Sequence, residues 1–170
     1  MTNDKITPAH PRVRSRRALV PSTAAMMLTL IVAACNDDPT ALDPRDVEFA
    51  AELGIDLDAM TRTGTGLYYQ DVVAGTGATA ADGQTVDVLY QGWLPNGTLF
   101  DAILDPHSPY TFTIGVSPVI RGWHEGIAGM RVGSVRKLVI PPSLGYGNRR
   151  NDPIPPNSVL VFEITLLSVE

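Results

Sequence analysis

The sequence predicts an α+β domain: a twisted antiparallel β-sheet wrapped around one short α-helix. Three observations carry that expectation. Fifteen Gly and fourteen Pro punctuate a chain of 170 residues, marking many turns. Several short runs alternate apolar and polar residues, the period of half-buried strands. One stretch after residue 62, near 123–130, has helical character and sits between strands.

The first 34 residues read as an address. Residues 1–17 carry Lys5, Arg12, Arg14, Arg16 and Arg17 against Asp4, and residues 18–34 carry no charge. A basic start, an apolar run and small residues form an export signal. Pro21 and Ser22 weaken the alternative of a retained membrane anchor, because the run barely reaches spanning length. Val32-Ala33-Ala34-Cys35 resembles the bacterial lipoprotein cleavage box. That resemblance implies cleavage before Cys35 and lipidation of its thiol and amine. Ordinary secretion is the other reading of the same segment.

Residues 35–61 read as an acidic tether with a short helix. From 36 to 61 there are eight acids and one Arg. Asp43 is a suitable helix cap and Pro44 a suitable first-turn residue. Val47, Ala50 and Ala51 come next at helical spacing, and Gly54 ends the run. Ile55, Leu57 and Met60 are apolar enough to dock on the main domain. The charge favours a solvated acidic spacer with a short docked helix; a dimerising or partner-binding arm is the alternative.

Residues 62–170 form the expected folded domain. Residues 67–74 read as a strand. Residues 85–94 alternate, with Val86, Val88 and Tyr90 on one face. Pro95-Asn96-Gly97 signals a hairpin turn. Residues 110–114 and 134–140 are strand-like. Residues 159–169 are the clearest strand, with Leu160, Phe162, Ile164 and Leu166 pointing one way.

Composition excludes several functions. Net charge is −5, with no basic block after the leader, so no nucleic-acid partner is expected. One cysteine excludes an internal disulfide and a cysteine-based zinc site. His10, His107 and His124 show no ligand spacing, so no metal or other cofactor is expected. No nucleophile elbow or phosphate loop occurs. His124 and Glu125 are adjacent and read as surface residues. Asp101, directly after Phe100, is harder to explain by packing. It needs a donor, and a tyrosine hydroxyl on a neighbouring strand is a natural one.

The ordered blocks carry a resemblance. Val88-Leu89-Tyr90-Gln91-Gly92 and Asn96-Gly97-Thr98-Leu99-Phe100-Asp101 come first. Val119-Ile120-Arg121-Gly122-Trp123-His124-Glu125-Gly126-Ile127 and Met130-Arg131-Val132-Gly133 come next. Ile140-Pro141-Pro142, Leu144-Gly145-Tyr146-Gly147, Ile154-Pro155-Pro156-Asn157 and Leu160-Val161-Phe162-Glu163 complete the series. Together they resemble the FKBP-type peptidyl-prolyl isomerase domain over roughly residues 65–170.

The resemblance implies an apolar proline pocket with Trp123 as its floor. Tyr90, Phe100, Tyr110, Val119, Ile120, Ile154 and Phe162 are its implied walls. The Ile120 amide and Tyr146 hydroxyl are the implied donors to substrate carbonyls. Asp101 is implied to accept from Tyr90 and face the substrate amide. The implied activity is rotation about X-Pro bonds in unfolded or exported polypeptides, with no cofactor. The alternative is an envelope-tethered chaperone or adaptor using the same pocket without turnover. Macrolide immunosuppressants are further implied ligands. The expected molecule is a monomer facing the periplasm, touching membrane only through the lipid at Cys35.

Two loops depart from the family pattern. Leu104-Asp105-Pro106-His107 stands where an arginine often accompanies the aspartate. Arg149-Arg150-Asn151-Asp152-Pro153 replaces a more apolar loop.

Overall fold

The computed structural model describes residues 42–170. The leader, Cys35 and the start of the tether lie outside the described residues. Seven strands, β1 (Thr61–Arg62), β2 (Tyr68–Val73), β3 (Thr85–Trp93), β4 (Leu99–Ile103), β5 (Tyr110–Thr113), β6 (Val135–Ile140) and β7 (Leu160–Val169), form one sheet. Its order is β1-β2-β6-β7-β3-β4, with β5 also paired to β3, and every pairing is antiparallel. One helix, α1 (Arg121–Ile127), crosses one face. This is the expected α+β class.

The long strand β3 explains how a cavity forms. Its first half pairs with β5, at Thr85 to Val88, and its second half with β4, at Tyr90 to Trp93. Two strands thus succeed one another along one edge, and the segment between them stands open. On β3 the residues Val86, Val88 and Tyr90 are buried on the face toward α1. Leu160, Phe162, Ile164 and Leu166 of β7 join them.

Helix α1 lies close on β6 because the positions that meet that strand are glycines. A Cβ on Gly122 would meet Ile140 Cγ2 at 2.6 Å, and one on Gly126 would meet Leu138 Cδ1 at 2.6 Å. Arg136, on the same face of β6, is only 6% exposed. It donates to both carboxylate oxygens of Asp71, at 2.6 and 2.9 Å, and to the Gly126 carbonyl at 2.9 Å. Its guanidinium lies 4.6 Å from the centre of the Tyr69 ring. A buried cation so satisfied clamps β2, β6 and the end of α1 together.

Three expectations need correction. The helix expected from Asp43 to Gly54 is two single 3₁₀ turns, Pro44–Asp46 and Ala51–Leu53. Asp43 does cap the first, accepting from the Arg45 amide at 2.9 Å, and Gly54 ends the second in a left-handed conformation. Between them the chain is drawn out against the hairpin turn, where the Ala50 amide donates to the Pro95 carbonyl at 2.8 Å. The helix expected at 123–130 starts earlier and ends sooner, because Ala128 leaves the helical region. Strands β1 and β4 were not expected as separate elements. The other face of the sheet is covered by the chain before β1: Leu53 and Met60 are buried there with Tyr68, Val139, Val159 and Val161. Among the described residues no helix is long and apolar enough to cross a membrane.

Candidate active site

The gap between β4, β5 and α1 holds a cavity of about 200 Å³. Trp123 forms its base, 5% exposed, on the first turn of α1. Three rings meet it nearly at right angles: Tyr90 at 4.8 Å, Phe162 at 5.4 Å and Tyr110 at 5.8 Å between centroids. Phe100 stands edge-on to Phe162 at 5.5 Å. Edge-to-face contacts lock each ring's tilt, so the walls are set before anything enters. A Cβ on Gly92 would lie 2.7 Å from Phe162 and 2.8 Å from Phe100, so only glycine lets these rings meet.

Polar groups occur at few places around this wall. The Tyr90 hydroxyl donates to Asp101 Oδ2 at 2.7 Å. Burial, reinforced by the bond to Asp101 and its charge, pushes the Tyr90 hydroxyl far above the ordinary tyrosine value. Tyr146 is also pushed up, first by burial and then by the charge of Asp101, while the polar Asn151 side chain pulls the other way. Both phenols therefore remain protonated donors at neutral pH. Ile120 caps α1 with an extended backbone, and among the described residues its N–H donates to no other group.

Of the residues singled out from sequence, Tyr90, Phe100, Asp101, Tyr110, Val119, Ile120, Trp123, Tyr146 and Phe162 line the cavity. Ile154 does not. It is 3% exposed in the main core, because the 149–157 loop folds it inward through paired backbone bonds with Asn151. Pro118 lines the cavity and was missed. Its position immediately before Val119-Ile120 was the available signal. Phe100 is half-buried and Asp101 exposed, since both form the rim of an opening rather than the core. His124 and Glu125, read as surface residues, sit at the partly covered edge of the helix. Both are half-buried and bonded, His124 to the Gly115 amide and Glu125 to the Thr65 hydroxyl.

Comparison with known proteins agrees with this geometry. The family model of the FKBP-type peptidyl-prolyl cis-trans isomerase matches residues 77–167. The chain belongs to that family. An FK506-binding protein of Neisseria meningitidis serogroup B is 48% identical over 105 residues, covering 61% of this chain and 96% of the relative. FkpA from Escherichia coli is similar in structure, with TM-score 0.62 and 40% identity over 71% of this chain and 55% of that one. AtFKBP13 is matched with TM-score 0.60 and 38% identity over 65% of this isomerase and 98% of that chain. The family model takes in β3 to β6, α1 and most of β7, while β1, β2 and the chain before them precede the residues it matches.

Proposed function

We propose that this FKBP-type isomerase speeds X-Pro rotation in exported proteins by seating the proline ring against Trp123. The observation that supports the reading most is the pre-set aromatic cavity with its donors around the wall. Peptide-bond rotation has a barrier of about 18–20 kcal/mol, because resonance gives the C–N bond double-bond character. For X-Pro the two isomers differ by only about 0.5–1 kcal/mol, so rate is the problem. Twisting the bond removes the amide's charge separation. A dry apolar wall disfavours the planar dipolar amide more than the twisted one. In this reading the Ile120 amide and the Tyr146 hydroxyl hold the flanking carbonyls. Tyr90 fixes Asp101 so that its carboxylate faces the rotating amide. Neither a nucleophile nor a proton transfer is needed.

The leader supports an envelope location, with Cys35 as the lipid attachment and the domain in the periplasm. The same cavity is the place where a macrolide immunosuppressant would compete with proline. The test is X-Pro exchange by the purified chain beside Phe100→Ala and Asp101→Ala. Acceleration by the parent, lost in folded variants, supports the reading. A folded parent no faster than buffer overturns it and leaves the tethered binding module.

A further inference from the structure

The chain from Gly115 to Ile120 supplies Pro118, Val119 and Ile120 to the cavity wall. Its tip stands in solvent, with Val116 75% exposed. At its start the Val116 and Ser117 amides donate to the Thr113 carbonyl, and the Thr113 amide donates to Ser117 Oγ. Those bonds close the loop on β5 and leave α1 out. At its end the chain runs into α1, where the Ile120 carbonyl accepts from the Trp123 amide at 3.0 Å; at its start the tie to α1 is a side chain. The Gly115 N–H donates to His124 Nδ1 at 2.8 Å. His124 comes directly after Trp123, and its ring lies 6.2 Å from that of Phe112. One bond therefore joins the start of a wall to the helix turn that carries the floor.

A neutral imidazole has one acceptor nitrogen; the protonated ring has none. We propose that His124 is a positioning residue, whose unprotonated Nδ1 holds the 115–120 loop over Trp123 and thereby makes proline isomerisation sensitive to acid. The effect on catalysis rests on the cavity being the isomerase site; the bond itself does not. As pH falls and the ring gains a proton, Gly115 N–H faces another donor. The start of the loop then loses its side-chain tie to α1, and the wall at Pro118 and Val119 loosens, while Ile120 stays held through its carbonyl by the Trp123 amide.

The surroundings leave this change to His124. On α1 the charged neighbours are Arg121 and Glu125, and Glu125 accepts from Thr65. From β5 the titratable group is Tyr110. Residues 114–120 carry none. The turn packed on Ile114 through Gly83 brings Asp82. Among the described residues, none forms an ion pair with His124.

Two readouts on the purified chain test this. The first tracks the Gly115 amide and the His124 ring by NMR between about pH 5 and pH 8, where histidines change charge. The amide resonance is expected to move with the midpoint of the ring. The second measures kcat/KM by a protease-free exchange assay over the same range. The parent is expected to lose about five-fold on the acid side, the factor that a hydrogen bond of about 1 kcal/mol represents. His124→Gln keeps an acceptor that cannot titrate and is expected to hold its neutral-pH rate with no acid limb. A Gly115 amide that ignores the ring titration overturns the proposal, as does the same acid limb in His124→Gln. The NMR result decides the bond even if the cavity turns over no proline, so the two ideas fail separately.

Discussion

At the scale of single residues, the Tyr90–Asp101 bond couples the inner wall of the cavity to its rim. Tyr90 is buried on β3, while Asp101 is exposed on the neighbouring strand, so the carboxylate keeps its water and its cost of burial is small. The bond's work is directional: it fixes which carboxylate oxygen faces the opening. Tyr90→Phe keeps the ring against Trp123 and frees Asp101 to turn. It is expected to lower kcat/KM about five- to ten-fold while shifting the denaturation midpoint little, the value of one hydrogen bond at a solvated acceptor. Paired activity and urea titrations check this; a large stability loss with unchanged rate counts against it. The pairing was legible in sequence, because a carboxylate beside an aromatic demands a donor. The burial was not. An alternating pattern reports that Phe100 avoids water, and cannot tell the wall of an open cavity from a filled core.

At the scale of elements, the strands that were easy to read are those with one face on α1. In β3 and β7 the alternation of burial matches the apolar pattern closely. In β4 it does not: Leu99 is 51% exposed, Phe100 half-buried and Asp101 exposed. A strand that borders an opening has no packed face to print on its sequence. The helix was legible in existence but not in length, because its buried face holds only Trp123 and Ile127 beside Gly122 and Gly126, too short an apolar pattern to mark either end. That choice of residues brings α1 onto β6 and sets the depth of Trp123. Gly126→Ala inserts a methyl against Leu138 and is expected to cost about 1–3 kcal/mol, the range for overpacking a filled core. Lifting α1 also displaces Trp123, so proline affinity is expected to fall in the fraction that remains folded. Denaturant unfolding and a peptide titration measure both. If stability falls with affinity unchanged, α1 does not set the depth of the floor.

At the scale of the whole molecule, the sheet has two covered faces of unequal standing. One is buried under α1 and the cavity walls. The other is covered by the chain before β1, which reaches it without an α-helix of its own. Leu53 and Met60 fill that face, the Lys137 ammonium donates to the Leu53 carbonyl at 2.6 Å, and Arg45 and Arg62 flank the Tyr68 ring at 5.9 and 5.8 Å. Docking depends on a few apolar residues rather than on net charge: Met60 was legible in the sequence as one of them, with Ile55 and Leu57 packed beside it, while Leu53 was not singled out. Few backbone bonds hold this arm, so it can detach while the sheet stays folded. The cost of weakening it is then capped by its docking free energy, whereas a cavity on the α1 face must be borne by the entire fold. Leu53→Ala is accordingly expected to lose about 1–2 kcal/mol, and Ile164→Ala, in the main core, about 2–5 kcal/mol. Isomerase activity at about 25 °C is expected to survive Leu53→Ala, since the arm's docked residues are separate from those lining the cavity. Equal losses in the two variants, or an inactive but folded Leu53→Ala, would mean that the arm folds cooperatively with the site and is an integral part of the isomerase.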